Sequence, residues 1–181
     1  MKTQIMSVIL TGVGLTQLGF SRGLAGEVAP YAAPALFAMT ALNNGGRSTV
    51  NLHGKVTLLH FWTFDCINCK HNLPAYQRLQ KRLESSGFQL VSVHTPETQG
   101  ERSLTGLRQA VKRQGISYPV LVDNQETNWH KFGLDAWPTV FVIDKKGKVR
   151  GKWVGELNFG GQSGEAEVAA LVNKLESEKG S

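Results

Sequence analysis

Val56-Thr57-Leu58-Leu59-His60-Phe61-Trp62 runs directly into Thr63-Phe64-Asp65-Cys66-Ile67-Asn68-Cys69. The first seven residues are almost continuously apolar or β-branched, the pattern of a strand covered on both faces. Leu73, Tyr76, Leu79 and Leu83 then recur on one side at helical spacing, which predicts a helix from about Ile67 to Ser85 with Gly87 suited to its C-terminal end. Cys66 therefore stands at the helix start and Cys69 one turn on, so that the two sulfurs can face each other and close a small ring. A helix N-terminus presents unpaired N–H groups and the positive end of the dipole, both of which stabilise a thiolate at Cys66.

Outward from this stretch, apolar runs alternate with helical patterns, the signature of an α/β domain. Phe88-Gln89-Leu90-Val91-Ser92-Val93 reads as the next strand. Leu104, Leu107 and Val111 mark a helix ended by Gly115, Val120-Leu121-Val122 a short strand, and Trp129 and Phe132 a brief helix before Gly133. Thr139 to Ile143 and Lys148 to Val154 form a hairpin about Asp144-Lys145-Lys146-Gly147. Val168, Leu171, Val172 and Leu175 define a terminal amphipathic helix. The domain is placed at residues 47–178, with 27–46, which carry Pro30, Pro34 and Asn43-Asn44-Gly45-Gly46, as a linker or loosely packed extension.

Residues 1–26 differ in kind. Lys2 precedes the apolar run Ile5-Met6-Ser7-Val8-Ile9-Leu10, which continues brokenly to Phe20 and ends in the small residues Gly23, Ala25 and Gly26. This order reads as a secretory signal peptide or a retained N-terminal anchor, and places the domain in the periplasm or otherwise outside the cytoplasm. Gly12, Gly14, Thr16 and Gln17 dilute the run too far for a stable membrane span. No cysteine lies near it, which excludes lipoprotein attachment.

Composition narrows the function. With 41% hydrophobic residues in 181, the chain can bury a core. Its formal charge of +6 comes from scattered Lys and Arg, without the stripe that marks a nucleic-acid surface. The two cysteines have several alternatives. Structural zinc needs four ligands, and neither a second cysteine pair nor paired histidines accompany them. A c-type haem needs histidine after the second cysteine, where Lys70 stands. A structural disulfide across so short a span stabilises little. No cofactor and no metal is expected beyond the redox-active pair itself.

From about Ser48 to Ser177 the chain resembles the thioredoxin superfamily. The resemblance rests on Phe61 through Cys69, on Pro74 five residues after the second cysteine, and on Ala136-Trp137-Pro138-Thr139 immediately before a strand. The distance between Cys69 and Pro138 leaves room for the helix–strand insertion of the TlpA/ResA-like exported branch. Within that branch, Cys-Ile-Asn-Cys and Val93-His94-Thr95-Pro96-Glu97 resemble the DipZ-type thioredoxin domains. The resemblance implies a thioredoxin fold, a central mixed sheet flanked by helices, and thiol–disulfide oxidoreductase activity through Cys66 and Cys69. Pro138 is then a cis-proline facing the cysteines, with Pro119 as a weaker rival, and Trp137 and Pro138 line a substrate groove. Glu97 becomes a candidate acid/base, with His94 in the same segment. Substrates would be protein disulfides or dithiols, and a membrane electron donor or acceptor would recycle the cysteine pair.

Two positions depart from ordinary thioredoxins. His60 stands where they carry a buried aspartate, and is either a proton relay or a satisfied core histidine. Asp65 replaces an aromatic residue before Cys66, and its charge opposes thiolate formation. Reduction of protein disulfides outside the cytoplasm is the expected direction; the alternatives are a disulfide oxidase or isomerase on the same pair, or a redox-inactive module that binds a peptide or soft metal in the groove. A peroxiredoxin-like peroxidase fits less well, because the vicinal cysteine pair is not that family's usual arrangement.

Overall fold

The run Val56–Trp62 is a strand in which every residue is buried, and its alternating side chains build two separate cores. A computed structural model describes residues 26–83 and 87–178; the leader segment, apart from Gly26, lies outside the described residues. In chain order the elements are β1 (Gly26–Ala32), β2 (Thr40–Leu42), β3 (Val56–Trp62), α1 (Ile67–Leu83), β4 (Phe88–His94), α2 (Leu104–Arg113), β5 (Val120–Val122), α3 (Thr127–Lys131), β6 (Thr139–Ile143), β7 (Lys148–Val154) and α4 (Gly164–Ser177). The end of the predicted first helix, beyond Leu83, also lies outside the described residues.

The strands form one mixed sheet in the order β1-β7-β6-β3-β4-β5-β2. β3 is central, parallel to β4 and antiparallel to β6. On one face Val56, Leu58 and Trp62 pack with Leu73, Tyr76 and Leu79 of α1, Leu107 of α2, and Val168 and Leu171 of α4. On the other, Leu59 and Phe61 meet Phe141, Ile143, Trp129 and Phe132, with Leu36, Ala38 and Leu52 from the N-terminal segment. Each fully buried Leu or Phe of this kind contributes about 1.5–3 kcal/mol.

Local chemistry sets the element ends. Ser103 caps α2, its hydroxyl accepting from the Gly106 N–H at 3.1 Å. Gly115 closes α2 in the left-handed region (φ +65°), which lets the Ile116 N–H reach the Val111 carbonyl at 3.0 Å. Asp144 shapes the β6–β7 hairpin, its Oδ1 accepting from the N–H groups of Lys146 and Lys148 at 2.9 Å each. The helix–strand insertion between β4 and β6 is present as α2 and β5, with α3 following.

One expectation is corrected. Residues 27–46 are not a linker but belong to the sheet at both of its edges: β1 pairs antiparallel with β7, and β2 antiparallel with β5. The domain accordingly begins at Gly26 among the described residues. β1 is held by backbone pairing with few buried side chains, so it leaves no hydrophobic periodicity to read. The stretch between the two strands is tied down by Asn128. Its Oδ1 accepts from the Phe37 N–H at 3.1 Å and its Nδ2 donates to the Phe37 carbonyl at 2.7 Å.

Candidate redox site

Strand register brings three loops to one end of the sheet. Trp62, the last residue of β3, pairs with His94, the last of β4. Phe61 pairs with Thr139, the first of β6. The turn into the cysteine pair, the segment after β4 and the loop before β6 therefore converge. Cys66 and Cys69 are disulfide-bonded with a Cα–Cα distance of 5.3 Å. Cys66 is half-buried, whereas Cys69 is 1% exposed, so only the first sulfur is open to a partner. The Cys69 N–H donates to Cys66 Sγ at 3.2 Å, placing a helix N-terminal donor where a thiolate would carry its charge.

The loop before β6 carries a cis Trp137–Pro138 bond, the one cis peptide among the described residues; Pro119, the rival, is not cis. The Trp137 ring stacks on Trp129 with centroids 4.0 Å apart, which fixes the loop over the second core. The Pro138 carbonyl accepts from the Gly155 N–H at 2.8 Å. Gly155 in turn accepts from Asn72 Nδ2 on α1 at 3.0 Å. Asn72 was not singled out in the sequence, where it is one polar residue in a helical pattern.

The candidate acid/base Glu97 is exposed, and its described contact is through its backbone N–H, which donates to Glu101 Oε2 at 2.9 Å. Glu101 is the buried carboxylate of this segment, 2% exposed. Its Oε1 accepts from the Thr63 hydroxyl and from the Asp65 N–H, the latter at 3.1 Å. Its Oε2 accepts from the Thr98 N–H at 2.9 Å and the Thr98 hydroxyl at 3.3 Å as well as from Glu97. Burial alone would raise this carboxyl; the converging donors outweigh it and hold it below the ordinary glutamate value of 4.5. Glu101 thus fastens the insertion to the residues just before Cys66. The spacing Thr98-x-x-Glu101 is that of a capping box, in which the glutamate reaches back to the first N–H, and is the sequence signal that marks it.

Both histidines near the pair are neutral. His60 lies in the core beneath α1, its ring 4.3 Å from that of Tyr76 and its Nε2 3.2 Å from the Tyr118 hydroxyl. Burial pushes it down to about 3. His94 stacks on Phe64 at 5.4 Å and lies 3.4 Å from the Thr63 hydroxyl. Burial takes it to about 4, against the pull of Glu101. Asp65 is exposed, and its carbonyl accepts from Lys70 Nζ at 3.5 Å. Among the described residues no group of three or more His, Cys, Asp or Glu side chains is placed to hold a metal ion. No helix among them is long and apolar enough to cross a membrane.

The chain is similar to several known proteins. Protein DipZ of Mycobacterium tuberculosis is 34% identical over 131 residues, covering 70% of this chain and 19% of DipZ. Thiol-disulfide oxidoreductase ResA of Geobacillus thermodenitrificans is 27% identical over 152 residues, 83% of each protein. The crystal structure of a thiol:disulfide interchange protein of the thioredoxin family from Chlorobium tepidum TLS superposes with a TM-score of 0.63 at 26% identity, covering 83% of this chain and 99% of that one. The chain spans 10% to 19% of the length of its larger curated relatives. Residues 31–152, more than half of the chain, match the AhpC/TSA family; the chain belongs to that family, and its fold is the thioredoxin fold.

Proposed function

We propose that the chain is a thiol–disulfide oxidoreductase that reduces disulfides of partner proteins outside the cytoplasm. The observation that carries this reading is the asymmetry of the pair: Cys66 is reachable and Cys69 is buried directly behind it. The Cys66 thiolate attacks one sulfur of a partner disulfide, forming a mixed disulfide and expelling the partner's other sulfur as a thiolate. Cys69, deprotonated, attacks Cys66 Sγ, expels the second partner thiolate and leaves the Cys66–Cys69 disulfide. Two electrons pass to the partner, whose thiolates take up two protons. Trp137 and Pro138 line the groove for the partner's extended segment. Glu97, exposed in the segment after β4, exchanges the Cys69 proton with solvent, since its neighbour Glu101 is fully engaged. A membrane electron donor of dithiol type restores the reduced pair, and the sequence of residues 1–26 supports export.

Insulin reduction with dithiothreitol tests the activity, with Cys66→Ser as the control. Turnover by the intact protein and none by the variant is expected; absence of turnover by the intact protein removes the enzyme reading. The reduction potential of the pair tests the direction. A strongly reducing value supports the reductase, and one near that of known oxidants reverses it.

A further inference from the structure

Asn72 is polar, yet it is 2% exposed on the face of α1 that packs into the core. Each of its amide groups is engaged. Nδ2 donates to the Gly155 carbonyl at 3.0 Å and to the Tyr76 hydroxyl at 3.1 Å, and Oδ1 accepts from the Leu157 N–H at 2.8 Å. Two of these partners lie in the loop after β7, more than eighty residues away in sequence. Gly155 adopts φ +89°, a conformation in which side chains are strained, and its own N–H donates to the Pro138 carbonyl. A continuous path thus runs from the helix that carries Cys66 and Cys69, through one asparagine and one glycine, to the cis-proline loop. On the solvent side the loop after β7 is clasped to α1 again, His71 Nδ1 lying 3.0 Å from Glu156 Oε1.

An aliphatic side chain at position 72 would bury equally well but would leave the Gly155 carbonyl and Leu157 N–H unpaired. The amide therefore serves the link between helix and loop. We propose that Asn72 is a positioning residue that fixes the cis-proline loop against the redox helix, and so determines how firmly an extended protein segment is held beside Cys66. It touches neither reacting sulfur. A loop left free must be ordered each time a partner binds, and that ordering weakens binding. A small disulfide that needs only Cys66 is spared this cost. The proposal rests on the reading of the pair as acting on protein disulfides.

The test compares the full chain with N72A and N72L on two substrates, insulin and the small neutral disulfide 2,2′-dithiodipyridine, together with amide exchange at Gly155. N72L keeps the volume buried at this position but can neither donate to Gly155 nor accept from Leu157, and it serves if the cavity left by N72A prevents folding. In both variants kcat/KM for insulin is expected to fall about tenfold, mainly through KM, the loss of about one buried hydrogen bond. The dithiodipyridine rate stays within about twofold, and Gly155 exchange accelerates. Equal losses on both substrates, no loss on either, or unchanged Gly155 exchange overturns the proposal. If the unsubstituted protein reduces neither substrate, the reductase reading fails by itself, and Gly155 exchange still decides whether Asn72 holds the loop.

Discussion

Glu101→Gln exchanges one carboxylate oxygen for an amide NH2 and leaves the shape of the side chain almost unchanged. The carboxylate receives donors at both oxygens, from Thr63 and Asp65 at one and from Glu97 and Thr98 at the other. A glutamine offers one acceptor oxygen. Its least costly orientation turns the NH2 towards Thr63, whose hydroxyl can rotate to accept, and leaves the Asp65 N–H facing a donor. One charge-assisted bond, about 1.5–3 kcal/mol, is lost outright and the remaining ones weaken to neutral strength. The expected loss is about 3 kcal/mol, or roughly 10 °C in Tm for a domain of this size. The pH dependence has a definite sign. The folded carboxyl lies below 4.5, so its stabilisation is complete above that value and is lost as pH falls through the folded pKa. Urea denaturation of both oxidised proteins from pH 7 down to about 3.5 reads the difference, with His94, which Glu101 pulls upward, replaced by glutamine in both so that the remaining histidines act alike. A gap below about 0.5 kcal/mol at pH 7 refutes the assigned role; so does a gap that does not narrow under acid.

The two neutral histidines make a separate forecast. Folded His60 and His94 titrate at about 3 and about 4, against 6.5 when free. Stability should fall as pH drops below 6.5, by about 1.4 kcal/mol per pH unit for each histidine until its folded value is approached. His60→Phe should roughly halve the slope between pH 6 and 5 in denaturant titrations, and a flat profile for the unsubstituted protein contradicts the forecast. Leu79→Ala, at a fully buried position of α1, should cost about 2–5 kcal/mol; a shift under about 1 kcal/mol in urea would show that α1 does not carry the core packing described. Asn128→Ala removes both bonds to the Phe37 backbone. Protease cleavage beside Phe37 should then accelerate about tenfold, and an unchanged cleavage rate would mean that other contacts hold the segment.

What could be read from the residues alone was whatever leaves a local pattern. β3 announces itself by seven consecutive buried positions, α1 by the spacing of Leu73, Tyr76, Leu79 and Leu83, and the cysteine pair by its position between them. Pro138 was legible because Trp137 and a strand frame it. Edge strand β1 was not, because its order comes from pairing with β7 and its side chains are mostly exposed. Glu101 and Asn72 escaped for a related reason. Each is hydrogen-bonded to residues 36 to 85 positions away, contacts that leave no periodic trace, and the one local signal, Thr98-x-x-Glu101, is a single spacing rather than a period. Glu97 drew attention by following a strand; the neighbouring glutamate, four residues on, is the one turned inward.

The N-terminal segment reaches both borders of the sheet, and this has a bearing on how the protein behaves in concentrated solution. β7 and β5 would otherwise offer open rows of N–H and C=O groups, templates for joining another molecule strand to strand. The guards supplied by residues 26–42 are themselves poor templates. β2 is three residues long, and β1 contains Pro30 and breaks register between Glu27 and Tyr31. Proteolytic trimming to about residue 43 would bare two such rows at once, on opposite sides of the molecule. The shortened protein could then polymerise end to end while its cysteines remained intact.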